Sequence, residues 1–416
     1  MRASRFLPLL ILLSLAPLPA HEPHKPALPA GSAAVAVAAI PLPEGWVESR
    51  PPAGAGAFAP MLVADGDGFL ATWIEPVTPA GHRVRIARWD GRFWTFPATI
   101  REGAGLFANW ADVPGVVRAP DGALYAWWLE KSGPDTYAYD VRLARSTDQG
   151  RTFEPLGTLH EDRSPVEHGF VSAVRERAGV RFYFLDGRAT AGGGPMQLRT
   201  VLVEGDRIGP SELVDESVCD CCATAAVELA NGSAVAYRDR TAGEIRDVQV
   251  VLRPEGAAPL TQAPAKDGWK IAGCPVNGPA LAANGSQLAV AWFSAPGDRP
   301  RMAVARSADG GANWSAPESV VSSKPMGQLA LAPLDAGFAL SWLEGIPGGS
   351  ELRLARLEGS GKPGPSQAIA RTGAGRSAGI PRLAAAGKPG KRLALLWVDA
   401  GSPNAPILRF ATLPAN

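Results

Sequence analysis

Net charge is the first thing this sequence lacks. Lysine and arginine total 41 against 40 aspartates and glutamates, a balance of +1. So nearly neutral a balance gives no sign of a nucleic-acid or anionic-membrane partner, and none is expected. Long apolar runs are missing as well. The early run at residues 6–15 is shorter than a bilayer span, and nothing later is longer, so no transmembrane segment is expected. No cysteine lies near residue 20, so no lipid anchor is expected there. Helical patterning is absent too: beyond the N-terminal segment no stretch repeats its apolar residues every 3.6 positions.

What is present begins with a leader. Arg2 and Arg5 precede the apolar run, and "APLPA" ends at Ala20, the pattern of a secretory signal peptide over residues 1–20. The mature protein is therefore expected in the periplasm or secreted, where disulfides persist. Residues 21–43 are rich in alanine and proline and read as a disordered linker. Cleavage at Ala20 would leave His21 as the new N-terminus with His24 close behind, an amine and imidazole suited to Cu(II). Residues 44–416 are too many for one compact core unless the fold is modular. With 47 glycines, 39 prolines and 12 tryptophans, they favour turns and short strands.

The module is visible. A short apolar strand ending in aromatic-x-acid recurs at Trp73, Trp128, Phe184, Tyr237, Trp292, Trp342 and Trp397, at intervals of 55, 56, 53, 55, 50 and 55 residues. Each copy is preceded by another strand and followed by two more, as in "VRIARWDG" and "FWTFPATI". Four antiparallel strands repeated seven times describe an all-β fold, a β-propeller of seven blades, with six as the fallback. The seventh unit stops after its third strand, and "EGWVESRP" stands before the first. Pairing them would complete the last blade and close the ring. The acids at Glu75, Glu130, Asp186, Asp239, Glu344 and Asp399, interrupted by Ser294, are expected to serve each blade rather than form a ligand ring.

Two turns carry a more specific pattern. "STDQGRTF" (Ser146, Asp148, Gly150, Phe153) and "SADGGANW" (Ser307, Asp309, Gly311, Trp314) match S-x-D-x-G-x-x-aromatic. This resembles the Asp-box of sialidases, the neuraminidase superfamily. The resemblance implies a capped turn on the face away from the active site. It also implies an arginine triad for a substrate carboxylate, a tyrosine nucleophile polarised by glutamate, and an aspartate acid/base. The Arg-Ile-Pro type motif of that family is missing from "ESRPPAGAG", and no motif assigns a nucleophile among the five tyrosines.

In such a propeller the first strand of each blade starts beside the central channel. Cys219, Cys221 and Cys222 open the fourth unit and Cys274 opens the fifth, so the four sulfurs are expected to converge at one rim. Three readings stay open. One is disulfides, such as Cys222–Cys274 with Cys219–Cys221. A second is a thiolate site for a copper or zinc ion. A third is a redox-active pair. A dense charged loop, Arg238, Asp239, Arg240, Glu244, Arg246 and Asp247, belongs to the same face. His168 at the start of the third unit is a further metal-ligand candidate. Asn109, Trp110 and Asn277 hold similar starting positions, with Trp110 able to stack on a sugar. Three functions follow. The first is a four-cysteine metal or redox site at the channel mouth, taking a small ligand, metal or glycan. The second is a sialidase-type glycoside hydrolase, with the arginines holding an acidic sugar and Asp239 or Asp247 as acid/base. The third is an interaction scaffold with structural disulfides.

Overall fold

The computed structural model describes residues 37–414 apart from 80, 360–361, 388–389 and 400–405. The expected signal peptide, His21 and His24 lie outside the described residues. No described helix is long and apolar enough to cross a membrane.

Seven antiparallel sheets follow one another along the chain, each a meander with its first strand innermost. The blades span residues 58–103, 115–158, 168–215, 225–262, 280–319 and 325–372, and the seventh begins at 382. That last sheet takes its outer strand from the N-terminus. Val47 pairs with Thr412 and Glu48 with Ala411. Trp46, 8% exposed, anchors this strand in the core between the sixth and seventh blades, and Leu42 from the end of the expected linker packs there too. Blade 3 departs from the four-strand pattern. Its edge is split into Arg207–Ile208 and Glu212–Asp215, both paired with Gln197–Glu204. Gly209 and Pro210 interrupt it, since proline has no N–H to give the ladder.

The aromatic-x-acid repeat has a local cause. Residues two apart on a strand share a face, so an indole N–H can reach the following carboxylate. Trp73 Nε1 donates to Glu75 at 2.7 Å, Trp128 to Glu130 at 3.3 Å and Trp342 to Glu344 at 3.1 Å. A buried indole thereby keeps a partner for its one donor. Where Ser294 breaks the series, Asp267 enters from a loop and accepts from Trp292 Nε1 at 2.7 Å. These carboxylates serve the blades and form no ring around the channel.

Both S-x-D-x-G-x-x-aromatic turns join third and fourth strands at the end of the ring opposite the starts of the inner strands. Asp148 accepts from the N–H groups of Arg151 and Thr152, each at 3.0 Å. The Thr152 N–H, foremost, holds its carboxyl well below the usual range. Asp309 accepts from Asn313 N at 2.9 Å. Gly311 sits at φ +93°, where a Cβ would also meet Leu252 of the neighbouring blade at 2.7 Å.

Candidate functional site at the top face

The top face is the one where inner strands begin. The four cysteines meet there, as expected from the succession of blades. The sulfurs pair as Cys219–Cys222 and Cys221–Cys274, with Cα separations of 5.7 and 6.0 Å. This corrects the expected pairing of Cys222 with Cys274 and Cys219 with Cys221. The chain turns over at residues 220–221, which sets positions 219 and 222 facing each other across a four-residue turn. Both are 1% exposed. Cys221 is directed to the channel wall and meets Cys274, which is exposed, at the start of blade 5. The channel encloses a cavity of about 270 Å³. Its described lining is mostly apolar, with Arg382 the one charged residue.

Each charged side chain of the loop beside the sulfurs has a protein partner, with Arg246 Nε alone among their nitrogens buried without one. Arg238, 1% exposed, donates to the carbonyls of Asn277, Arg246 and Phe293 at 2.7–3.0 Å and lies 5.0 Å from the Trp269 ring. Burial pushes its guanidinium down to about 10. Arg240 bridges Asp220 at 3.0 Å and Glu244 at 2.7 Å. Arg246 reaches Glu244 at 3.0 Å and donates to Cys219 Sγ at 3.3 Å. Asp239 caps Arg240 N at 2.7 Å, and Asp247 accepts from the N–H groups of Gly268 and Trp269 at 3.2 and 3.3 Å. The three arginines offered for an acidic sugar therefore hold carbonyls, carboxylates and a sulfur, and the two aspartates hold backbone.

Sequence reasoning missed a set of latches between blades. Asn277 Oδ1 accepts from Gln328 N of blade 6 at 2.8 Å, and Asp112 Oδ1 accepts from Phe170 N of blade 3 at 2.8 Å. Gln328 and Phe170 are both left-handed, at φ +54° and +51°. The glycine before each is forced by the latch: a Cβ on Gly327 would lie 2.1 Å from Asn277, and one on Gly169 1.9 Å from Asp112. Asp112 rather than Asn109 is thus the counterpart of Asn277. Asn109 caps Ala111 N at 2.8 Å, and Trp110 packs on the core as a rim residue. Asp112 also accepts from the Tyr139 hydroxyl at 3.1 Å, which lies 2.7 Å from Glu167. Burial, with the charge of Glu167 adding, pushes Asp112 up to about 8, and burial pushes Glu167 up to about 7.

His168 is fully buried between blades 2 and 3. Its neighbours are His160 and Asp140, neither of which the sequence singles out. Burial, then the adjacent His168, pushes His160 down to about 3, so its ring is neutral.

No family model and no curated sequence matches the chain. Solved structures do. The chain is similar to an ulvan lyase of polysaccharide lyase family PL25, at 12% identity and TM-score 0.57, over 87% of this chain and 95% of that one. It is similar to the polysaccharide lyase Uly1 at 10% identity and TM-score 0.54, over 85% and 89%. A Trypanosoma rangeli sialidase follows at 13% identity and TM-score 0.47, with 75% of this chain covering 56% of that one. The likeness to the two lyases shows the fold, a seven-bladed β-propeller. At these identities the likeness is one of architecture, and function has to be argued from the site.

Proposed function

We propose that this is an exported propeller whose top face carries a thiol–disulfide site, with Cys221–Cys274 the exchanging pair and Cys219–Cys222 the buried structural pair. The difference in exposure carries this reading: Cys219 and Cys222 are 1% exposed, whereas Cys274 is open to solvent and Cys221 lines the channel. Exchange requires a thiolate to reach a sulfur in line, so access decides which pair reacts. An external thiolate attacks Cys274 Sγ and releases the Cys221 thiolate. A second thiol of the partner then resolves the mixed disulfide. Two electrons and two protons pass to the cysteines while the partner dithiol becomes a disulfide.

Graded reduction followed by alkylation and mass spectrometry tests this. Cys221 and Cys274 should label in the native protein at mild reductant, and Cys219 and Cys222 only after unfolding. Resistance of both pairs until unfolding would make them staples and leave the scaffold reading. A second reading, a copper or zinc site of reduced thiolates, is favoured by one observation: the sulfurs of Cys219, Cys221 and Cys222 lie within 4.8 Å of one another. Four free thiols with stoichiometric metal in protein purified from the periplasm would select it. The glycosidase reading has Tyr139 beside Glu167, yet that hydroxyl is buried and the loop arginines are engaged. A fluorogenic sialoside left intact from acid to neutral pH would remove it.

A further inference from the structure

We propose that Asp140, His160 and His168 form a mononuclear site for a divalent first-row transition ion of the zinc type, separate from the sulfurs. Three strand ends assemble it. Asp140 lies at the start of the third strand of blade 2, Tyr139–Ser146. His160 follows the last strand of that blade, Glu154–Thr158. His168 opens the inner strand of blade 3, His168–Glu176.

The hydrogen bonding prepares the ligands. One residue, Asp162, takes one nitrogen of each ring: its carboxylate lies 3.1 Å from His168 Nε2, and its backbone carbonyl 3.2 Å from His160 Nδ1. Both acceptors are oxygens, so those two nitrogens carry the protons. The lone pairs are left on His168 Nδ1 and His160 Nε2. Neither has a hydrogen-bond partner, and neither has Asp140 Oδ1, although all three atoms are buried. Both nitrogens stand 3.7 Å from that oxygen.

A pair of core histidines with a merely structural role would have these atoms satisfied, since a buried orphan acceptor costs about 1–3 kcal/mol. Three orphans within 4.8 Å of one another, with an outer carboxylate and carbonyl fixing the tautomers, are the donor set that imidazole-binding metals take. Two imidazoles and one carboxylate leave at least one coordination position open. The side chains of Asp140 and Asp162 are 18% and 20% exposed, which gives the approach from solvent. The rings are stacked at 3.8 Å and 12°, so taking an ion at about 2.0–2.1 Å from each nitrogen requires them to splay.

The test uses the full chain with its cysteines oxidised and any residual thiol alkylated, so that sulfur cannot ligate. After chelation and dialysis, zinc titration by calorimetry should show one site per chain. The site should disappear in His160→Gln and in His168→Gln. It should weaken roughly 10–100-fold in Asp162→Asn, which only orients the rings. Because a variant can misfold, cobalt loading of the unaltered protein gives an independent readout. A visible spectrum of nitrogen and oxygen ligation without a thiolate charge-transfer band supports the site. The absence of a stoichiometric zinc or cobalt site, or binding that survives both histidine variants, overturns it. Neither result depends on whether the sulfurs exchange.

Discussion

The top face holds two clusters of reactive side chains, and they are built on opposite plans. Around the sulfurs, each charged side chain already has a protein partner: Arg238 three carbonyls, Arg240 two carboxylates, Arg246 a carboxylate and a sulfur. Around the imidazoles, three buried ligand atoms have none. The contrast separates charge used to hold a loop from charge available to a ligand. Sequence density of charged residues, by itself, points to the wrong cluster of the two for ion binding. The 238–247 loop is the more charged and the less free.

The sharpest way to break the comparison is to remove a satisfied group. Arg238→Met should destabilise the protein by about 3–5 kcal/mol, because three buried carbonyls lose their donors at about 1–3 kcal/mol each. Urea unfolding measures it. A loss under 1 kcal/mol would mean that the loop does not depend on this guanidinium.

The two latches offer an internal control for the next largest effect. Asn277 and Asp112 perform the same task, but Asp112 carries a carboxyl pushed up to about 8. A folded value above the unfolded one, near 3.9, means that its contribution is most favourable below the unfolded value and declines as pH rises toward 8. Asp112→Asn keeps the acceptor for Phe170 N without that decline. Its stability relative to the parent should therefore rise between pH 4 and 8, by a few kcal/mol in all, since each pKa unit is worth about 1.4 kcal/mol. Parallel stability curves for the two proteins would show that the carboxyl stays charged in the fold.

The ring was legible in the sequence because its repeat keeps an even spacing, and in three blades that repeat encodes a contact between residues two apart, the indole N–H on the acid that follows. The interruption at Ser294 was legible too, but its substitute was not. Asp267 arrives from a loop 25 residues away in sequence, where no spacing announces it. Asp267→Asn should cost about 1 kcal/mol by weakening the bonds from Trp292 and Arg301, read as a shifted urea midpoint at unchanged slope. The histidine cluster was hidden for the same reason. His160 and Asp140 lie at strand ends that carry no motif, and only the neighbouring of blades 2 and 3 brings them to His168. The convergence of the four cysteines followed from topology, whereas their pairing depended on which way a four-residue turn faces.

The smallest stability effect is the one that sharpens the contrast most. Asp140 has its pKa raised by burial, so the charged form is held at a cost in the metal-free protein. Its Oδ1 accepts no hydrogen bond in return. Asp140→Asn removes the charge while keeping the shape. The metal-free variant should unfold within about 1 kcal/mol of the parent, on the stable side above neutral pH. Zinc should then raise the melting temperature of the parent and leave that of the variant nearly unmoved, since only a ligand bound to the folded state adds stability. A structural carboxylate would behave in the opposite way, losing stability without metal and showing no difference with it. Melting curves of the two proteins, with and without zinc, distinguish a ligand from a strut at this one position.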